Sequence, residues 1–174
     1  MRWLCLFLVL FTMNSDIVIF DKEDNTSKWY TTNDDVMGGV STSTMKRLPT
    51  GAALFSGTVS TDNNGGFAMV RLPLNIKLDE GKSKLILTVK GDGKTYQMRI
   101  KSKRYQRYWY VQTFSTSTMT EEIELPLQEF YPAFRGYRLN SSNFSSDQIK
   151  EIALLIGNKK DESFSLEVHK IIIK

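Results

Sequence analysis

An all-β sandwich of the jelly-roll type is the fold this 174-residue sequence predicts. Three observations carry that prediction. Apolar residues recur at every second position in several segments, and turns rich in glycine and asparagine lie between those segments. No long stretch shows the 3.6-residue period of an amphipathic helix. A period of two puts apolar side chains on one face of a strand and leaves the other face to water. Around nine or ten short strands of this kind suit a two-sheet sandwich.

Taken in order, the first element is not a strand. Met1 and Arg2 are followed by an apolar run from Trp3 to Met13 broken only by Thr12, and Asn14, Ser15 and Asp16 turn the chain polar. A basic start, a short apolar stretch and a polar boundary predict a secretory signal peptide over residues 1–15, or else a short membrane anchor. The run is shorter than the ~20 residues a membrane span needs. Export to the periplasm or cell surface is the corresponding expectation. The single cysteine, Cys5, lies in that run, so residues 16–174 carry no disulfide, thiolate nucleophile or cysteine metal site.

Residues 16–174 read as one β-sandwich domain, with no linker or repeat dividing them. Strands are expected at 17–20, 54–60, 67–72, 108–114, 122–125 and 151–156. The clearest alternation is Leu85, Leu87, Val89; then Tyr96, Met98, Ile100; then Phe164, Leu166, Val168. Asn63-Asn64-Gly65-Gly66 forms a turn between two strands, and Gly91-Asp92-Gly93-Lys94 reads as a hairpin loop. Asp147 is placed to cap a helical turn over 148–151, a second turn is expected over 128–131, and 130–146 reads as an ordered loop with little regular structure.

Composition narrows the chemistry. The net charge of +4 is too mild to argue for nucleic acid. His169 is the one histidine, on the polar side of the last strand beside Glu167, and reads as an exposed strand residue. With no nucleophile motif, no phosphate-cradling loop and no dinucleotide fingerprint, the chain reads as a non-enzyme without cofactors.

Three segments are candidate binding features. In the first, Asn33, Asp34 and Asp35 precede Val36-Met37-Gly38-Gly39-Val40-Ser41. Adjacent carboxylates suit a hard cation, so calcium at Asp34 and Asp35 is weighed against a structural role in which they accept hydrogen bonds from nearby amides. The structural reading predicts that Asp35→Ala lowers stability by removing a loop-organising acceptor. The second runs from Lys101 to Tyr110, where four cations and four aromatics interleave; Arg104, Tyr105, Tyr108 and Trp109 are its candidate contacts. It reads either as a binding surface or as a solvated hairpin with its aromatics in the core. The third is Trp29-Tyr30, whose rings are either a sugar platform or, for the tryptophan, a lid on the core.

These residues also form a pattern. Trp29 followed by the 33–41 segment resembles the hallmark of the complex I intermediate-associated protein 30 family. The resemblance continues through Phe55-Ser56-Gly57-Thr58-Val59-Ser60, Asn64-Gly65-Gly66-Phe67-Ala68-Met69-Val70-Arg71 and Lys90-Gly91-Asp92-Gly93-Lys94-Thr95-Tyr96. Leu125-Pro126, Phe130, Arg135-Gly136 and Phe164-Ser165-Leu166-Glu167-Val168 extend it, so that it spans roughly residues 29–170. It brings Arg71 into the candidate set and implies a galactose-binding-domain-like sandwich in a stand-alone, bacterial member. It also implies a non-enzymatic role like that of the respiratory complex I assembly factors, with a protein partner that is itself membrane-associated. The alternatives are a carbohydrate-binding module of the cell envelope and, third, a carboxylate-based glycan hydrolase.

Overall fold

The computed structural model describes residues 16–23 and 26–174. The expected targeting segment at 1–15 lies outside the described residues. Among the described residues, no helix is long and apolar enough to cross a membrane.

Among the described residues, thirteen strands build two antiparallel sheets. They are β1 (Ile17–Phe20), β2 (Tyr30–Thr31), β3 (Thr42–Arg47), β4 (Ala53–Val59), β5 (Ala68–Lys77), β6 (Lys84–Lys90), β7 (Thr95–Lys101), β8 (Trp109–Ser115), β9 (Thr120–Pro126), β10 (Tyr131–Phe134), β11 (Tyr137–Arg138), β12 (Gln148–Ile156) and β13 (Glu162–Ile173). A six-stranded sheet runs β3-β4-β13-β6-β9, with β1 also paired to β13. A seven-stranded sheet runs β11-β10-β8-β7-β12-β5-β2. The chain is thus an all-β, two-sheet, jelly-roll-like sandwich.

The alternation seen in the sequence faces the space between the sheets. Phe55, Leu85, Leu87, Val89, Phe164, Leu166 and Val168 from one sheet meet Val70, Tyr96, Met98, Ile100, Ile152, Leu154 and Ile156 from the other. Phe55 and Phe164 meet edge to face with centroids 4.7 Å apart. A smaller apolar cluster of Met69, Trp109, Val111, Ala133, Ala153 and Leu155 lies on the opposite, outer face of the seven-stranded sheet. Strand β12 is therefore covered on both faces, which is why Ile152-Ala153-Leu154-Leu155-Ile156 reads as an unbroken apolar run.

Several expectations need correction. Gly91–Lys94 is not a hairpin, because β6 and β7 belong to different sheets. The turn is a corner, which lets both flanking strands aim their apolar residues into the same core. Residues 148–151 begin β12 rather than a helical turn: tertiary pairing with β5 and β7 overrides the local cap signal. The 130–146 loop contains β10 and β11, held on the edge of β8. Strand β3 has no alternating pattern because it is a mostly exposed edge of threonine, serine and basic residues. The expected turn near 128–131 is a single 3-10 turn at Leu127–Glu129. His169 is half-buried, not exposed; it sits at an irregularity in β13, with Nε2 3.6 Å from a Glu167 carboxylate oxygen.

A candidate binding face on the seven-stranded sheet

Strand register sets out the outer face row by row. One row crosses six strands as Tyr30, Arg71, Ala153, Arg99, Val111 and Tyr131. With strands spaced ~4.8 Å apart, that row spans about 24 Å. To one side Pro73, Glu151 and Lys101 continue toward Trp109, Ala133 and Arg138. To the other lie Met69, Leu155, Gln97 and Thr113. Aromatic rings thus stand at both ends of the central row, with guanidinium groups and small or apolar side chains between them.

Glu151 is the hub of this face and the single carboxylate in these rows. Its Oε1 accepts from Tyr30 Oη at 2.8 Å, from Arg71 Nε at 2.8 Å and from Arg71 Nη2 at 2.7 Å. Its Oε2 lies 3.4 Å from Lys101 Nζ. Burial pushes the Tyr30 hydroxyl up, and the bond to Glu151 adds to the rise. Burial pushes the Lys101 ammonium down against the pull of Glu151. The rings are engaged by cations as well. Arg71 stands 5.0 Å from the Tyr30 ring centre and 5.3 Å from that of Trp109, while Lys101 Nζ lies 4.3 Å from the Trp109 ring. Arg138 stands 4.7 Å from the Tyr131 ring centre. Beside the hub, Tyr30, Arg71, Pro73, Arg104, Lys150 and Glu151 line a pocket of about 350 Å³.

The structure sorts the predicted site residues. Arg71, Trp109 and Arg104 come together at this face. Trp109 is only 9% exposed and carries cations against its ring, so it is not an open stacking platform. Tyr108 and Tyr110 lie on the other side of β8, with hydroxyls 3.2 Å apart, and Tyr110 packs on Phe144 of the core. Strand alternation separates Tyr110 from its neighbour Trp109, and Tyr108, just before the strand, packs against Tyr110. Tyr105 stands 89% exposed on the loop after β7. Trp29 is a core residue, edge-on to Phe20 with centroids 6.2 Å apart, so its role as a platform is withdrawn. Residues that drew no notice as site members, Arg99, Glu151, Tyr131 and Arg138, belong to the face. Their signal was the polar half of each alternating strand, which shows a face but not which strands adjoin.

The 33–41 segment is a structural joint that borders this face at Met69. Asp34 is 1% exposed; its Oδ1 accepts from Ser41 N at 3.0 Å, and its Oδ2 accepts from Gly66 N at 2.6 Å, Phe67 N at 3.2 Å and the Ser41 hydroxyl. Burial pushes the Asp34 carboxyl up, but these bonds outweigh it and hold the group below its ordinary value. Gly39 and Gly65 pass so close that a Cβ on either would fall 2.4 Å or 2.6 Å from the Asp34 carboxyl group. Asn33 Oδ1 accepts from Ser43 Oγ at 2.7 Å and from Met69 N at 3.3 Å. Both carboxylate oxygens of Asp34 are thus taken by protein donors, which fits the structural reading, and Asp35 is exposed. The loop-organising acceptor is Asp34, not Asp35.

A family model for complex I intermediate-associated protein 30 (CIA30) matches residues 18–168. The chain belongs to the CIA30 family. No curated protein matches its sequence. Among solved structures, this CIA30-family chain is similar to a family 11 carbohydrate-binding module from Clostridium thermocellum in complex with a beta-1,3-1,4-mixed-linked tetrasaccharide. Identity there is 18% and the TM-score 0.66, covering 91% of this chain and 95% of that one. It is also similar to the family 30 carbohydrate-binding module of the cellulosomal cellulase Cel9D-Cel44B of Clostridium thermocellum, at 16% identity and TM-score 0.59, with 92% and 97% covered. At such identities the likeness is one of fold.

Proposed function

We propose that the chain is a non-enzymatic binding module and that the outer face of its seven-stranded sheet takes a glycan. The observation that carries this reading is the row from Tyr30 to Tyr131, where rings and fixed hydrogen-bond donors are aligned across one sheet face. A glycan offers hydroxyl groups to donors and acceptors and apolar ring faces to aromatic rings, and it extends by one sugar over roughly the spacing of one strand. Support also comes from the carbohydrate-binding modules that share the fold. Glu151 has its oxygens bound by Tyr30, Arg71 and Lys101 and has no second carboxylate across from it in these rows, which suits recognition better than acid–base hydrolysis.

Family membership favours a second reading, a protein-binding assembly role with a membrane-associated partner. The exposed apolar residues it could use are spread over several elements, Val18 on β1, Val40 and Met119 on loops, and Phe134 paired with Tyr137 across β10 and β11. The N-terminal residues add export to the envelope, as in a bacterial member of the family.

Calorimetric titration with oligosaccharides, after a glycan-array screen, tests the reading. Binding is expected without turnover, and Tyr30→Ala or Arg71→Ala is expected to weaken it at least fivefold. Affinity unmoved by both changes would show that this face is not the site. Capture of one membrane protein, with no glycan bound, would favour the assembly role.

A further inference from the structure

The charge on the outer face does not balance. Arg71, Arg99, Lys101 and Arg138 lie in its rows against one carboxylate, Glu151. Arg71 and Lys101 share that carboxylate. Arg99 has a neutral partner instead: its Nε and Nη2 donate to Gln97 Oε1 at 3.0 Å and 2.7 Å. Its neighbours across the row are Ala153 and Val111, both buried, and burial pushes the guanidinium down to about 10. Holding a partly desolvated cation beside a neutral amide costs stability that an apolar side chain would not. At the edge of the sheet, Arg138 lies over the Tyr131 ring and is exposed.

Resting on the glycan reading, we infer that this face is built for a glycan whose sugars carry an anionic group, a carboxylate or a sulfate ester. Arg99 takes that group, and Arg138 takes a second further along the chain. A planar guanidinium fork matches either anion with two parallel hydrogen bonds. The central row gives Arg99 the middle position between the Tyr30 and Tyr131 rings, so a sugar ring can approach an aromatic while its acid meets the guanidinium. Glu151 between Arg71 and Lys101 opposes an evenly charged polyphosphate and suits a ligand with acid groups at intervals.

The test is titration of the intact chain with three probes: a tetragalacturonate, a sulfated galactan oligosaccharide and a neutral mixed-linked glucan tetrasaccharide. One of the two anionic probes is expected to bind at least tenfold tighter than the neutral one, with affinity falling as salt is raised; which one identifies the anion. Arg99→Met is expected to lose tenfold or more of that affinity while the melting temperature holds or rises, because a partly desolvated charge is removed. Arg99→Lys, with charge but no fork, is expected to fall between. Arg138→Ala, at an exposed position that folding does not need, is expected to cost about threefold and supplies the answer if Arg99→Met fails to fold. Tighter binding of the neutral glucan, unaffected by these variants, overturns the inference and leaves glycan binding standing. Binding of no glycan overturns both.

Discussion

At the scale of single residues, the family signature is explained by two carboxylates that tie loops together. Asp34 gathers the amides of Ser41, Gly66 and Phe67, which joins the 33–41 segment to the turn before β5. Asp92, in the Lys-Gly-Asp-Gly corner, accepts from Lys94 Nζ at 2.8 Å, Tyr96 Oη at 3.0 Å and Ser165 N at 2.9 Å, and so fastens the corner to β13. Asp34→Ala leaves several half-buried amides without an acceptor and is expected to cost roughly 3 kcal/mol, whereas Asp35→Ala stays within about 0.5 kcal/mol. Urea denaturation of the two variants decides between them; equal losses would contradict the assignment. For both carboxyls burial acts upward, and hydrogen bonds with an added Lys94 charge at Asp92 win, so each is held below its ordinary value of 3.8. A carboxyl depressed in the folded state contributes in full above its unfolded value and loses that contribution as pH falls below it. Stability is therefore expected to be flat from pH 7 to about 5 and to drop below about pH 4. The drop should be shallower in Asp34→Asn and Asp92→Asn than in the parent.

At the scale of elements, β12 is the strand that makes the face. One side of it supplies Ile152, Leu154 and Ile156 to the core; the other supplies Glu151 and Ala153 to the outer rows. Ala153 is small enough for Arg71 and Arg99 to flank it in the row. Glu151 is the ion that lets Arg71 and Lys101 sit in a partly desolvated layer. Glu151→Ala leaves both without a counter-charge and is expected to cost about 3 kcal/mol. Part of that loss should return when Lys101→Met is added, because the added change removes one of the stranded charges. A double-mutant cycle by thermal denaturation reads the coupling; strict additivity would mean that Glu151 does not hold these cations.

At the scale of the whole molecule, β13 is the keystone of the six-stranded sheet: it lies between β4 and β6 and also pairs with β1. The sheet therefore closes around the last strand of the chain. Truncation before residue 162 is expected to abolish cooperative unfolding, since β1, β4 and β6 all lose a partner and the core loses Phe164, Leu166 and Val168. A sigmoidal melt from the truncated chain would contradict that.

What the sequence determined by itself follows from local physics. Period-two alternation marked the strands that line the core, because burial of one face is written into every second residue. The ordered motifs pointed to the CIA30 family, and the structural reading of the 33–41 segment was open to view because Asp, Ser and Gly at that spacing bond the backbone nearby. Tertiary structure alone decided three things. It put β6 and β7 in different sheets, because local alternation is the same whether a turn folds back or crosses over. It made Asp34 rather than Asp35 the joint, because only the fold brings the amides of Gly66 and Phe67 within reach of the Asp34 carboxylate. And it assembled Tyr30, Arg71, Arg99, Tyr131 and Glu151 on one face, because strands far apart in the chain meet only through the register of the sheet.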